Sequence, residues 1–295
     1  MPLLTDLRYR LEYIGLRILI GLIRALPLET AAGISAFFWR LIAPWQRRHS
    51  RALENLAIAF PEKTPDDREA IARAMWANLG RVMAETMQID RLIREPDRIE
   101  IVSHTFARYK DKMGPIIGVS LHMGNWELAV WPLTLAGAAP AAIYRTVNNP
   151  YVDRYLRAQR RDLYPGGLLN KGSEAESKKT VRIITDFVRK GGRLGLVADL
   201  HDRQGIPVPF FGHPAASTAA PALIARRTGG RIWLARCLRV GTSSRFKIDM
   251  LELKVPRSRN HADDIRWTTA AMQAQFEVWI REAPEQFMWS NRRWS

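Results

Sequence analysis

A single cysteine, Cys237, occurs in 295 residues. That scarcity excludes an intrachain disulfide framework and any cysteine-rich zinc centre. Lying inside the apolar run Arg231–Val240, Cys237 reads as a small buried hydrophobe of a chain that folds in a reducing compartment. Long apolar runs are missing too: no charge-free window approaches the roughly 20 residues that a spanning helix needs, which excludes a multispan transporter. There is no zinc-finger spacing, no RNA-recognition signature and no compact helix-turn-helix pattern, so nucleic acid is not the expected partner. No G-x-S-x-G elbow is present either, so nothing in the sequence suggests a covalent acyl-enzyme. Acidic residues are few beside basic ones, 29 against 45, which leaves a net charge of +16.

What is present is a foldable chain. An apolar content of 47% with 25% charged residues excludes a mainly disordered polypeptide, and the length is enough for a sizeable core. The excess positive charge calls for an anionic partner: a membrane surface, an acidic protein or a phosphorylated substrate. Tryptophans stand beside arginines at Phe38-Trp39-Arg40, Trp45-Gln46-Arg47-Arg48 and Arg292-Arg293-Trp294. Such pairs suit a lipid headgroup boundary, although arginine around a core aromatic gives the same pattern. From Leu3 to Leu26, Leu4, Leu7, Leu11, Ile14, Ile18, Leu22 and Ala25 recur at helical spacing, interrupted by Arg8, Glu12, Arg17 and Arg24. A secretory signal would need an unbroken apolar centre and a cleavage site, and neither is clear. A second apolar helix covers Ala31–Ile42 and ends at Pro44. Together these read as an interfacial hairpin lying on a bilayer, with two helices packed on the protein's own core as the alternative. The expected organisation is a membrane-associating segment, 1–45, followed by an α/β domain, 46–295.

Helices are expected over Arg47–Phe60 and from the Thr64-Pro65-Asp66-Asp67 start signal to about Met87. A short strand at 98–102 and a helix to Lys112 follow. From Gly114, strand-length runs (Pro115–Leu121, Ala141–Tyr144, Leu194–Ala198, Arg231–Val240 and Phe246–Leu253) alternate with helical stretches (Trp126–Ala136, Pro150–Leu163, Glu174–Arg189, Ala219–Thr228 and Asp263–Glu282). This alternation predicts an α/β fold with a mostly parallel central sheet flanked by helices.

The most informative stretch is Gly118-Val-Ser-Leu-His122-Met-Gly-Asn-Trp-Glu127. A buried strand delivers His122 at its carboxyl end, Gly124 permits a sharp turn, Asn125 caps a helix, and Glu127 falls in that helix's first turn. Across such a corner the imidazole and the carboxylate can converge where ligands of open α/β sheets bind. A histidine held by a carboxylate is a general base able to take a hydroxyl proton. A satisfied core histidine beside a capping-turn glutamate fits the same spacing, while a metal site lacks further ligands. Arg145 and Arg160, after a strand and on the next helix, could hold phosphate. The apolar stretch Gly205–Gly212 reads either as the lining of an acyl-chain groove or as an edge strand and loop.

These residues resemble the late acyltransferases of lipid A biosynthesis, within the wider group that shares an H-x4-D/E motif with the glycerol-phosphate acyltransferases. The matching pieces are Arg51-Ala-Leu-Glu-Asn-Leu-Ala-Ile-Ala-Phe-Pro61, His122-Met-Gly-Asn-Trp-Glu127, Tyr144-Arg145-Thr-Val-Asn-Asn-Pro150 with Asp153, Ala198-Asp199-Leu-His-Asp202, Val208-Pro-Phe-Phe-Gly212 and Ala283-Pro-Glu-Gln-Phe-Met-Trp289 with Arg292-Arg293. The family usually carries histidine before the paired arginines, and Asn291 departs from that. The resemblance implies that His122 is the base, Glu127 its partner and Arg160 an active-site arginine. It places Asp199 opposite His122, orienting it or the substrate, and Arg145, Asn125 and Asp199 are the expected substrate-binding residues. It further implies transfer of a fatty acyl group onto a hydroxyl of a phosphorylated lipid A precursor, with an acyl carrier protein thioester as co-substrate, no cofactor and no metal. The implied location is the cytoplasmic face of the bacterial inner membrane.

Overall fold

Strand-length apolar runs keep their neighbours in the computed structural model, which describes residues 3–102, 113–170 and 177–294. Strands β1 (Ile99–Ile101), β2 (Ile116–Ser120), β3 (Ala141–Tyr144), β4 (Gly167–Asn170), β5 (Arg193–Val197), β8 (Arg231–Arg239) and β9 (Phe246–Leu253) form a seven-stranded sheet in the order β1-β9-β8-β2-β5-β3-β4. Neighbours are parallel except β8 and β9. The expected α/β architecture is therefore present. Strand β2 is apolar on both sides, as a central parallel strand covered on both faces must be. On one face, Ile117, Val119 and Leu121 pack with helices α7 (Ser177–Arg189), α8 (Ala220–Thr228) and α9 (His261–Glu282). On the other, Ile116, Trp233, Ala235 and Met250 pack beneath Leu128, Val130 and Leu133.

Helix α3 (Arg47–Ala59) begins without a side-chain cap, whereas α4 (Pro65–Thr86) and α6 (Pro150–Gln159) follow theirs. In α4, Thr64 Oγ1 accepts from the Asp67 amide at 3.1 Å, and Asp67 Oδ2 accepts from the Thr64 amide at 3.2 Å. Asn149 accepts from Tyr151 and Val152 to open α6, which ends before the expected Leu163. The stretch Trp126–Ala136 is not one helix. A 3-10 turn over Trp126–Val130 gives way to α5 (Trp131–Leu135), because Pro132 has no amide to continue a hydrogen-bond ladder. The helix expected up to Lys112 and the first residues of Glu174–Arg189 lie outside the described residues. The sequence reading passes over β4 and β7 (His213–Ser217), and offers β6 (His201–Phe210) only as one of two alternatives, an edge strand within 205–212. Strands β6 and β7 form a separate antiparallel hairpin that turns through Phe211 (φ 51°) and Gly212 (φ 75°).

The two N-terminal helices meet the rest of the protein differently. Helix α1 (Leu3–Ala25) presents its polar side inward. Tyr151 Oη donates to Asp6 at 2.8 Å, Asn149 Nδ2 donates to Glu12 at 3.0 Å, and Arg24 grips Asp90 with two bonds of 2.6 and 2.9 Å. Its apolar stripe, Leu7, Leu11, Ile14, Ile18 and Leu22, is more than half exposed at every position. Helix α2 (Leu28–Ile42) packs alanines against α4. Gly80 is essential to that approach, since a Cβ there would lie 2.6 Å from the Ser35 carbonyl oxygen. The outer side of α2 exposes Phe37, Phe38 and Leu41, with Trp45 beyond them. Among the described residues no helix is long and apolar enough to cross a membrane.

Candidate active site

The corner that follows β2 is clamped on both sides. Gly124 has φ +58°, and an added Cβ would fall 1.7 Å from the Cys237 carbonyl oxygen, so only glycine fits. The Asn125 amide donates to that same oxygen at 3.2 Å, the Gly124 amide to Gln286 at 3.0 Å, and the Met288 amide to the His122 carbonyl at 2.9 Å. Strand β8 and the C-terminal segment thus fix the backbone that carries His122.

The partner of His122 follows from sheet register. Strands β2 and β5 pair Ser120 with Val197, and the Ala198 amide continues the ladder to Ser120 at 3.0 Å. Two residues farther on, His122 and Asp199 therefore lie side by side. His122 Nδ1 and Asp199 Oδ1 are 2.8 Å apart, with the carboxylate side chain 1% exposed and the imidazole 16%. A carboxylate only accepts, so Nδ1 carries the proton and Nε2 is the basic nitrogen of the neutral ring. Among the described residues none hydrogen-bonds Nε2. Burial disfavours a charged imidazole here, but Asp199's charge and hydrogen bond, with a smaller contribution from Glu127, outweigh it and raise the His122 pKa above its ordinary value. Burial likewise opposes ionisation of Asp199, and His122 overcomes it, keeping the carboxyl below the usual range. The Trp126 ring packs edge-on to the imidazole, with centroids 5.2 Å apart.

Glu127 is not hydrogen-bonded to His122 as the sequence reading expected. Its oxygens take a fork from Arg160, Nε to Oε2 at 3.0 Å and Nη2 to Oε1 at 2.6 Å. The reason is geometric: Asp199 already occupies Nδ1, and the 3-10 turn carries Glu127 toward the end of α6. Both members of this pair are largely buried. Burial tends to lower the Arg160 pKa, yet Glu127 more than offsets this and the guanidinium stays charged. The Tyr144 ring lies beside it, 5.9 Å from the guanidinium carbon. Burial and a hydrogen bond to Asp153 push the Tyr144 phenol up to about 12, so it remains protonated and does not compete as a base.

His122, Trp126, Glu127, Tyr144, Arg145 and Arg160 all line one cavity of about 270 Å³. Arg145 is exposed at its rim. The cavity continues into the apolar layer between the sheet and the turn carrying Val130 and Leu133. Asn125 is not part of it. Fully buried, it spends its Nδ2 on Glu85 Oε2 at 2.9 Å, which corrects the expectation that it binds substrate. Nor does its side chain cap the following turn. Residues 205–212 do not line the cavity, so the groove reading of that stretch gives way to the strand-and-loop reading: it belongs to the β6–β7 hairpin, whose Val208, Phe210 and Phe211 are buried. Cys237 is fully buried, as expected, and burial pushes its thiol up. Among the described residues no group of His, Cys, Asp and Glu is placed to hold a metal ion.

Two buried supports stand behind the site, and the sequence reading gives neither of them a role. Glu85 of α4 accepts from Asn125, Ser244 and, through two bonds, Arg239, and Arg239 Nε in turn donates to Asn78 at 2.9 Å. This network ties α4 to the underside of the His122 corner. Arg293, 3% exposed, donates to Gln273 Oε1 at 3.0 Å, and Gln273 Nε2 donates to the Ala198 carbonyl at 2.8 Å, one residue before Asp199. Burial brings the Arg293 pKa down to about 10 against the opposing pull of Asp199. For Glu85 and Arg239 the only signal in the sequence is a charged residue in a largely apolar segment, whereas Arg293 falls in the Arg292-Arg293 piece of the family resemblance.

The model of the bacterial lipid A biosynthesis acyltransferase family matches residues 2–295. The chain is similar to a lipid A biosynthesis lauroyltransferase of Escherichia coli (strain K12), at 25% identity over 97% of this chain and 92% of the relative. It is also similar to that organism's lipid A biosynthesis palmitoleoyltransferase, at 23% identity over 97% and 91% of the two chains. A phosphatidylinositol mannoside acyltransferase of Mycolicibacterium smegmatis is 25% identical over 92% and 88%. An imidazole and a guanidinium at the mouth of an apolar cavity suit the reaction those names describe, and the chain belongs to the bacterial lipid A biosynthesis acyltransferase family and is an acyltransferase.

Proposed function

We propose that this protein transfers a fatty acyl group from an acyl carrier protein thioester to a hydroxyl of a lipid A precursor, forming an acyloxyacyl ester at a membrane surface. The observation that carries the reading is the His122–Asp199 pair, 2.8 Å apart, at the mouth of a cavity whose interior is apolar. His122 Nε2 takes the proton of the acceptor hydroxyl, and the alkoxide attacks the thioester carbonyl carbon. Arg160 uses Nε and Nη2 on Glu127. Its Nη1 is left to stabilise the oxyanion, a role for which the amides of Gly124 and Asn125, already bonded, are unsuited. Collapse breaks the carbon–sulfur bond, and the leaving thiolate takes back the proton from His122, so the products are an ester and a free thiol. Arg145 at the rim is placed to meet a phosphate of the glycolipid. The purified protein, given lauroyl-acyl carrier protein and a phosphorylated lipid A precursor, is expected to yield a product heavier by one acyl group in mass spectrometry. A thioester consumed without any ester formed would overturn the reading. Transfer to phosphatidylinositol mannoside alone, the acceptor in the name of one relative, would reassign the substrate.

The membrane part rests on an inverted helix. Helix α1 turns its polar groups onto α6 and leaves Leu7, Leu11, Ile14, Ile18 and Leu22 facing out, and Phe37, Phe38, Leu41 and Trp45 of the following segment are exposed as well. An apolar patch of this kind, on a chain of net charge +16, suits insertion into an anionic interface. The full chain is expected to co-sediment with phosphatidylglycerol vesicles, and the double variant Leu11→Asp, Ile18→Asp to stay in the supernatant. Equal sedimentation of the two would remove this surface from the account.

A further inference from the structure

The middle of the sheet contains an unexplained gap. Register aligns Trp233 of β8, Gly118 of β2, Gly195 of β5, Ala142 of β3 and Leu168 of β4 in one row across five adjacent strands, and all five line the cavity below His122. Glycine inside a strand costs conformational entropy and packs nothing, so two of them side by side on central strands need a reason. Backbone geometry does not supply one, since neither glycine is among those with positive φ. The protein's own packing does not supply one either. A Cβ on Gly118 would lie 3.5 Å from its nearest neighbour, the Leu194 carbonyl oxygen, and one on Gly195 would lie 3.6 Å from the Ala141 oxygen and from the Tyr164 ring. These are ordinary van der Waals distances, so a methyl group fits at either place. Although they stand on central strands, both glycines are only half-buried, because the surface above them opens into the cavity.

What remains to explain the glycines is space kept for a ligand. We propose that Gly118 and Gly195 are the floor of the slot that holds the donor's acyl chain, and that the bulk along this row sets the length of chain transferred. The proposal rests on the acyltransfer reading above and adds to it the residues that measure the chain. The slot starts at the catalytic imidazole and passes over the two glycines under Val130 and Leu133, with the Trp233 and Tyr164 side chains as walls. A chain thioesterified at the mouth lies with its carbonyl at His122 and its tail over Gly195. Each added methyl on the floor removes room for about one methylene, a difference that hydrophobic pockets convert into roughly 10-fold or greater discrimination.

The test compares octanoyl, lauroyl and palmitoyl thioesters, separately and in competition, with the wild type and with Gly118→Ala, Gly195→Ala and Gly195→Val. The variants are expected to keep octanoyl transfer within about threefold while transfer of the longest chain that the wild type accepts falls by about 10-fold or more, most in Gly195→Val. An unchanged length profile, or an equal loss for all three chains, would overturn the slot while leaving the acyltransfer reading intact. Failure of both alanine variants to fold would also overturn it, because a floor kept open for a ligand has room for a methyl group. A shift confined to the acceptor's chain-length preference would overturn the assignment to the donor. A wild-type protein that moves none of the three chains overturns both readings together.

Discussion

His122→Asn is expected to lower acyl transfer by about 10²–10⁴-fold, the range over which a positioned general base acts. Asparagine is the informative replacement because of Asp199. That carboxylate is 1% exposed, and an alanine at 122 would leave it buried without its hydrogen-bond partner, a defect that costs about 3–5 kcal/mol when one member of a buried pair is removed. The variant would then lose stability and activity together, and neither loss could be read. An asparagine amide can still donate to Asp199 Oδ1, so the fold is held while the proton-accepting nitrogen disappears. Thermal unfolding should move by only a few degrees, and thioester turnover measured by thiol release should fall with ester formation. Turnover within about threefold of wild type would show that no base is needed at this place, and the mechanism built on the imidazole would fail.

The extent to which this site is legible in the sequence depends on the range of each signal. Local chemistry is well marked. The Thr64 start signal and the glycine at 124 each do their work within a few residues of the chain, and their consequences are where turn chemistry puts them. Of the residues that the motifs single out, His122, Glu127, Arg145 and Arg160 line the cavity, and Asp199 is buried behind His122. Their pairing is a different matter. The H-x4-E spacing constrains only the corner between strand and turn. Which carboxylate meets the imidazole is decided by β2–β5 register, joining positions 77 residues apart, and no local pattern encodes that. The same holds for Glu127 and Arg160, 33 residues apart. Asn125 misleads because cap residues and buried network residues have the same side chains, and only Glu85, arriving from α4, distinguishes the two. The pairing of β6 with β7 escapes because the turn between them uses Phe211, whose positive φ is held by packing against Phe60, Phe210 and Trp289 and by an amide bond to Glu277, instead of by a recognisable turn dipeptide. Helix α1 is predicted as a helix, but its periodicity cannot say that the polar side faces the protein.

Asp199→Asn discriminates between the two carboxylates that the sequence offers to His122. In the wild type, burial alone would depress the imidazole pKa, and Asp199 reverses that by charge and hydrogen bond, with Glu127 contributing less. The groups around the pair are Asp199 itself, Glu127 with its partner Arg160, and Arg293, which lies behind Asp199 through Gln273. With asparagine at 199, burial of the ring persists and its main counterweight is gone. The acidic limb of kcat/KM, which reports the base in the free enzyme, should therefore move to lower pH than in the wild type. The rate on the plateau should nevertheless fall, by about 10²-fold or more, for a separate reason: the amide can donate to Nδ1, which places the remaining proton on Nε2 and leaves no lone pair for the acceptor hydroxyl. Stability should change little, because a buried charge is replaced by a neutral isostere. The two effects together are diagnostic. A limb that stays in place with a rate within about threefold of wild type would mean that Asp199 does not orient the base. The carboxylate of Glu127, already shared with Arg160, would then have to do so by releasing its guanidinium when substrate binds.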